Sequence, residues 1–284
     1  MKSKISVIIL TFNEKLHIKR CVERIKPIAC EIFVIDCNST DGTQKIAKEL
    51  GATVVEHDWP GNQAEQLNWA LDNLSINGDW VLRLDADEYL TAQLAQEIIG
   101  DLDGIPPDVA GITFALDHIF LNKKLRFGHP QLHILRLWRN GKARCEQRKM
   151  DEHMAVVEGR IIDFNGAFVD HNLNNLVWWT QKHIGYAQRE KENMMGSAFE
   201  SSNLSSQAAA KRRMKERYAK LPLFWRALAY FCCRYFIRLG FLDGKPGFVW
   251  AILQAFWYRT FVDALIYEEQ VNGLAEKDAE GANG

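Results

Sequence analysis

Three carboxylates fall within four residues of the stretch WVLRLDADEYL, residues 80–90: Asp85, Asp87 and Glu88. Carboxylates this close repel and raise one another's pKa unless a cation sits among them. Asp85 and Asp87 stand two apart, and on an extended turn positions i and i+2 point to the same side. Two oxygen ligands with positions left open suit magnesium or manganese, which keeps waters and takes further ligands from a diphosphate. A bare D-x-D also occurs in solvated loops and helix caps. Here it directly follows an apolar run of strand length, level with two further polar segments, and that placement favours the ion.

Those segments are TFNE, residues 11–14, and IDCNSTDGT, residues 35–43. Thr11, Asn13 and Glu14 offer donors and acceptors suited to a base edge or a ribose. Asp36 offers an acceptor for the imide of a pyrimidine or for a ribose hydroxyl. A dinucleotide fold also sets an acid after its second strand. No G-x-G-x-x-G follows the first apolar run, however, which disfavours dinucleotide binding.

The elements that must position these residues alternate with a short period. ISVIILTF, EIFVID, TVVEH and DWVLRLD read as strands. Between them LHIKRCVERI, TDGTQKIAKEL (capped by Thr40 or Asp41) and NQAEQLNWALDNL read as helices. Such alternation predicts an α/β fold, a mainly parallel sheet covered by helices on both faces. Ligands of such sheets bind beyond the carboxyl ends of the strands, where all three polar segments fall. Residues 110–170 read instead as extended segments with turns at Asn122–Lys123 and Asn140–Gly141, typical of an antiparallel addition. A helix is expected over about 174–195, then a small, polar linker, SSNLSSQAAAKRR.

Strand-TFNE, ID-x-N-S-T-D-G-T and LRLDADE, in this order over residues 4–100, resemble the family 2 nucleotide-sugar glycosyltransferases, which share the fold called GT-A. The rest of the chain resembles, more loosely, bacterial members that build lipopolysaccharide core, O-antigen or other surface glycans. The resemblance implies a GT-A catalytic domain over residues 1–200, with a nucleotide-binding half (1–100) and an acceptor half (101–200). A helical, aromatic-rich extension over 201–270 and a flexible tail over 271–284 follow. It implies that Thr11, Asn13 and Glu14 border the nucleotide, with Asp36 near its base. Asp85 then lies near the ribose and the metal, and Asp87 ligates the divalent ion. Relatives often carry Pro-Asp where this chain has Pro130-Gln131, so an acidic contact to sugar or acceptor is missing there.

The implied reaction is inverting transfer, in which an acceptor hydroxyl displaces the nucleotide diphosphate in one step. It needs a base on the acceptor side, and KMDEHMAVVEG supplies Asp151, Glu152 and His153. Glu152 is favoured and Asp151 is close behind, with His153 a polar neighbour. His171, in VDHNL, is read as a third metal ligand, as in some related folds, or as an ordinary hydrogen bonder. Lys182, Tyr186 and Arg189 lie along one predicted helix and reach the leaving diphosphate, or else form a solvated face.

From Lys211 to Arg238 there are nine Lys or Arg, with Glu216 the one acid, and residues 221–261 hold 13 of the chain's 31 aromatic residues. A basic helix bearing Trp and Phe suits a membrane interface with anionic headgroups. That fits a lipid-linked glycan acceptor met by a cytoplasmic enzyme, peripheral on the inner face of the cytoplasmic membrane. A helical cap or a homo-oligomer surface is the alternative use of these helices. No nucleic-acid module matches. No stretch reaches the roughly 18 uncharged apolar residues of a membrane span. The six cysteines form no CxxC pair, which fits a reducing compartment. Net charge is −1 and names no partner. Two other readings stay open. One is a sugar-phosphate nucleotidyltransferase, which would want a Gly-rich loop after the first strand. The other is a non-catalytic membrane scaffold with a degenerate nucleotide site.

Overall fold

β1 (Ile5–Thr11) is buried along its whole length, because helices cover both faces of the sheet it centres. Ile5, Val7 and Ile9 pack with Ile18, Cys21, Val22 and Ile25 of α1 (Ile18–Ile25), whose apolar residues recur at helical spacing. Ile8 and Leu10 point the other way, onto Ala64, Leu67 and Ala70 of α3 (Gln63–Asn73). The computed structural model describes residues 4–129, 131–146, 153–195 and 217–282.

Contacts divide the chain into two compact units, Met1–Lys124 with Gln131–Asn174, and Leu125–Pro130 with Asn175–Gly284. The first unit is built on β2 (Glu31–Asp36), β3 (Thr53–Glu56), β4 (Trp80–Asp85), β5 (Glu88–Leu90), β6 (Val109–Phe120), β7 (Lys123–Leu125), β8 (His133–Arg139) and β11 (Arg160–Asp170) around β1. Their order is β3-β2-β1-β4-β8-β6-β11-β5, with β7 beside β6. β3, β2, β1 and β4 run parallel, with α2 (Thr43–Glu49) joining β2 to β3. β8 runs antiparallel to both β4 and β6, so the expected antiparallel addition is present. β11, however, lies parallel to β6 and antiparallel to β5. This mixed, mainly parallel sheet flanked by helices is the α/β arrangement expected from the alternation in the sequence. β9 (Ala143–Cys145) and β10 (Met154–Val156) form a separate antiparallel ribbon.

α4 (Ala92–Asp101) packs on β11 where Gly166 leaves no room: a Cβ there would lie 2.5 Å from Leu94 Cα. The N-cap falls one residue after Asp41 and two after Thr40, although Asp41 Oδ1 still accepts Thr43 N at 2.9 Å. Gly42 takes the N-cap position of α2 at φ 97°, a left-handed conformation suited to glycine.

The second unit contains α5 (Leu176–Met195), α6 (Trp225–Cys232), α7 (Gly244–Trp250) and α8 (Tyr258–Ala282), with π-helical turns over Cys233–Ile237 and Ala251–Trp257. The expected helix at 174–195 is therefore present, and it groups with the C-terminal helices rather than with the first unit. Ala187, Tyr258, Val262 and Ile266 form its small core. Arg226 and Asp263 pair at 2.5 Å and are almost wholly buried. Glu190 accepts from Tyr258 Oη at 2.6 Å and from Arg259 at 2.7 Å. Residues 125–130 join this unit because Asp243 accepts the backbone N–H of Phe127 at 2.9 Å and of Arg126 at 3.0 Å. No helix among the described residues is long and apolar enough to cross a membrane.

Candidate active site

The strand register brings the three polar segments together. Thr11 at the end of β1 pairs with Asp36 at the end of β2, and Leu10 pairs with Asp85 at the end of β4. The loops that follow therefore leave one edge of the sheet at one level, the edge where ligands of parallel sheets bind.

The loops after β1 and β2 are laced to each other by short polar contacts. Asn13 N donates to Ser39 Oγ at 2.7 Å, and Thr40 N donates to Asn13 Oδ1 at 2.9 Å. Glu14 N donates to Thr43 Oγ1 at 2.8 Å, and Lys15 N to Asp41 Oδ2 at 2.9 Å. Asn13 holds φ 55°, a left-handed conformation that Asn tolerates better than most residues. Burial pushes the Asp41 carboxyl up, but hydrogen bonds from Thr43 and from the Lys15 and Thr43 backbone outweigh it and hold the group below its ordinary value.

Asp36 is the point where the structure departs from expectation. Its carboxylate is fully buried. Oδ2 accepts from Thr11 Oγ1 at 2.8 Å and from Ser39 Oγ at 2.6 Å. Oδ1 accepts from Ser39 N at 2.8 Å and from Gln44 Nε2 at 2.7 Å. Four donors fill the roughly four lone-pair sites of a carboxylate. The acceptor that sequence reasoning offered to a base or a ribose is thus taken by the chain itself, and Asp36 organises the loop. Thr11 is tied into the same knot.

At the DADE turn, exposure alternates along the chain. Asp85, Asp87 and Tyr89 lie on the partly open side, while Ala86, Glu88 and Leu90 are buried. Asp85 Oδ1 sits 3.2 Å from Arg83 Nη2, and Oδ2 sits 3.7 Å from Arg136 Nη2. Glu88 turns inward, accepting Asp85 N at 2.9 Å and pairing closely with Arg136. Burial pushes the Glu88 carboxyl up to about 8 against the opposing pull of Arg136. Two arginines thus answer part of the carboxylate crowding, and Glu88 braces the turn from beneath.

Asp87 is held from the other side. Asn172 Nδ2 donates to its Oδ2 at 3.0 Å. Its carbonyl accepts Arg20 Nη2 at 3.1 Å and His171 N at 3.2 Å. Pairing of Asp170 with Glu88 across β11 and β5 is what delivers His171 to this place. Arg20 Nη1 meets His171 Nδ1 at 3.1 Å, so that ring nitrogen acts as an acceptor. Burial, and then the Arg20 charge, push the His171 imidazolium pKa down. Among the described residues no three of His, Cys, Asp and Glu gather as a cation cage. The sequence reading offers Asp85, Asp87 and His171 as ligands; the structure sets Asp85 and Asp87 on the partly open side of the turn, with the His171 ring engaged by Arg20. That carboxylate pair still fits magnesium or manganese, ions that keep waters and bind through one or two carboxylates plus phosphate.

Glu14 Oε2 lies 2.5 Å from His17 Nδ1, and Leu173 N donates to His17 Nε2 at 2.8 Å. His17 Nε2 is therefore an acceptor and the ring proton faces Glu14. Sequence reasoning missed Arg20, Arg83, Arg136, His17 and Asn172. Only Arg83, a charge inside an apolar run, carried a local signal.

Asp151 and Glu152 lie outside the described residues, in the connection between β9 and β10. Asn68 of α3 fixes β9 by exchanging two hydrogen bonds with Cys145. Pro130 also lies outside the described residues. Lys182, Tyr186 and Arg189 belong to the second unit, where Lys182 Nζ lies 4.8 Å from the Trp178 ring centroid and the Arg189 guanidinium 4.9 Å from that of Tyr186.

Residues 6–154 match the family model Glycosyl transferase family 2. An uncharacterised glycosyltransferase of Rickettsia typhi is 30% identical over 259 residues, covering 89% of this chain and 83% of that protein. Its counterpart in Rickettsia prowazekii is 31% identical over 260 residues, with the same coverage. A solved Mycobacterium tuberculosis structure, glucosyl-3-phosphoglycerate synthase with Mg2+ and uridine diphosphate, is 26% identical over 41% of this chain and 44% of its own. Its TM-score against this chain is 0.34. The motif order, the register that gathers the motifs and the two Rickettsia relatives agree: the chain belongs to glycosyl transferase family 2.

Proposed function

We propose that the chain transfers a hexose, from UDP-hexose before other nucleotide-sugars, to a lipid-linked saccharide in the synthesis of lipopolysaccharide or another surface glycan. The observation that carries this reading is the gathering of TFNE, the Asp36 loop and the DADE turn at one level of the sheet edge. Asp87, with Asp85 beside it, would hold a divalent cation, Mn2+ or Mg2+, which when bound would neutralise charge developing on the departing diphosphate.

The chain's own residues supply the rest. Arg20 and Asn172 hold the backbone and side chain of Asp87, and Arg83 with Arg136 hold Asp85, so both carboxylates are oriented before a donor arrives. Asn13 and Glu14 border the nucleotide on a loop made rigid by its bonds to residues 39–43. In the displacement, an acceptor oxygen bonds to the anomeric carbon as the bond from that carbon to the phosphate oxygen breaks. The hydroxyl proton passes to Glu152 or Asp151, a role worth about 10²–10⁴-fold in rate. The work takes place on the inner face of the cytoplasmic membrane, where a lipid-linked acceptor presents its sugar.

The test is turnover of UDP- and GDP-sugars with lipid-linked acceptor and manganese, read by nucleotide release and by the anomeric configuration of the product. Acceptor-dependent release of a nucleoside diphosphate with inverted configuration is expected. Formation of nucleotide-sugar from sugar phosphate and nucleoside triphosphate would mark a nucleotidyltransferase instead. Tight nucleotide binding without turnover would mark a scaffold.

A further inference from the structure

The connection between α6 and α7 shows its apolar side chains to the outside. Over residues 236–242, FIRLGFL, every residue except Gly240 is exposed, and Arg238 is the one polar side chain. Phe236 is 56% exposed, Ile237 78% and Leu242 50%. The patch is continuous: the Tyr235 ring lies 5.1 Å from Phe236, 6.2 Å from Phe241 and 5.7 Å from Phe248, all three of which are exposed.

This exposure is built in by the backbone. Arg238 N donates to Cys233 O at 2.8 Å, and Gly128 N donates to Arg238 O at 2.8 Å. Leu242 N bonds Leu239 O at 2.9 Å. Gly240 is packed so closely that a Cβ would meet Arg234 O at 2.8 Å and Gly128 Cα at 3.4 Å. Leu239 is held at φ 57°, a strained conformation for a bulky side chain. A tip anchored this way cannot fold its apolar groups back into the unit. Contiguous exposed apolar surface of this kind marks an interaction site.

Charge distinguishes among occupants. Across residues 217–257 the one acid is Asp243, which is buried. The exposed charges in that span are Arg217, Lys220, Arg238 and Lys245, all cationic. Arg238 stands inside the apolar tip, and Lys245 lies between Leu242 and Phe248 in sequence. Exposed apolar side chains with Arg238 and Lys245 among them in the chain match the two layers of an anionic bilayer surface, acyl chains beneath phosphate headgroups. No helix among the described residues is long and apolar enough to cross a membrane, and the exposed tip is of a size suited to the bilayer interface.

We infer that Phe236, Ile237, Leu239, Phe241, Leu242 and Phe248 insert into the interface of an anionic lipid bilayer while Arg238 and Lys245 contact its headgroups. This rests on the lipid-linked acceptor reading for its purpose, though the surface itself does not depend on it. Flotation of the full chain with phosphatidylglycerol and with phosphatidylcholine vesicles tests it. The chain should float with phosphatidylglycerol, weakly with phosphatidylcholine, and less at high salt. Ile237→Asp should lower vesicle affinity at least about tenfold, and Arg238→Glu with Lys245→Glu should abolish the preference for anionic lipid. Both changes are at exposed positions, and unchanged melting confirms folding. Wild-type chain that floats with neither vesicle, or an Ile237→Asp variant that floats as well as wild type, overturns the proposal. So does a dimer that sediments as such without lipid and dissociates in Ile237→Asp, which would assign the patch to a second copy. Nucleotide binding by the same preparations separates the two readings: its failure with vesicle binding intact removes the transfer reading and leaves the membrane surface standing.

Discussion

Asp87→Asn is expected to lower kcat/KM by on the order of 10³-fold or more, the rate equivalent of several kcal/mol of lost charge stabilisation. The fold should survive. Asn retains an oxygen that accepts from Asn172 Nδ2, and the bonds from Arg20 and His171 go to the Asp87 backbone carbonyl, which the substitution does not touch. One negative charge also leaves a turn that holds three. The stability change should stay within about 1 kcal/mol, as for substitutions that create neither a cavity nor an unpaired buried group. Steady-state kinetics with thermal melting on the same sample decides. Full activity in the variant would remove Asp87 from the metal site, and a collapsed melting temperature would make the residue structural.

Arg136→Met should have the largest effect on stability. Arg136 and Glu88 are both buried and pair closely, and the guanidinium also stacks over the Phe168 ring at 5.0 Å. Methionine fills much of the space but leaves a buried carboxylate without its cation, which costs about 3–5 kcal/mol. Protonation of Glu88 relieves part of that cost, and this fixes the pH dependence. Burial already raises the Glu88 carboxyl to about 8, and loss of Arg136 removes the larger of the two influences that lower it, leaving the Asp85 backbone hydrogen bond. A carboxyl whose folded pKa exceeds its unfolded value, near 4.3, binds its proton more tightly in the folded chain. The Glu88 contribution to stability should therefore fall in both chains between about pH 4.3 and 8, and the variant should drop further below wild type above about pH 8, where Glu88 ionises only beside Arg136. Arg136→Met with Glu88→Gln should recover part of the loss, with a coupling between the two sites of about 0.5–3 kcal/mol. Denaturant melts at about pH 7 and about pH 9.5, on either side of the Glu88 value of about 8, measure this. A loss below about 1 kcal/mol at about pH 9.5, or one that shrinks toward alkaline pH, would show that Glu88 is not the group at stake.

The parallel half of the sheet was legible because strands covered on both faces are written as unbroken apolar strings, and β1, β2 and β4 are buried almost throughout. The DADE turn was legible because carboxylate crowding needs a physical reason. The partners of those carboxylates were not. Arg136 lies 48 residues from Glu88 and Asn172 lies 85 from Asp87, and single-sequence spacing has no purchase at that range. Asp36 shows a second limit: an acid at the end of a strand reads the same whether its lone pairs await a ligand or are filled by Thr11, Ser39 and Gln44. The parallel pairing of β11 with β6 was equally hidden, since extended segments separated by turns suggest hairpins. The place of residues 125–130 depends on Asp243, more than a hundred residues later. The acidic pair Asp151 and Glu152 remains an expectation read from the sequence alone.

The central claim is that the gathered loops bind a nucleoside diphosphate through a divalent ion, and calorimetric titration tests it most directly. UDP and GDP are titrated separately into the full chain, with and without manganese. Binding of UDP that requires manganese, with GDP weaker, is the predicted result. No binding of either nucleotide with manganese present would contradict the account and leave the DADE carboxylates to Arg83 and Arg136 alone.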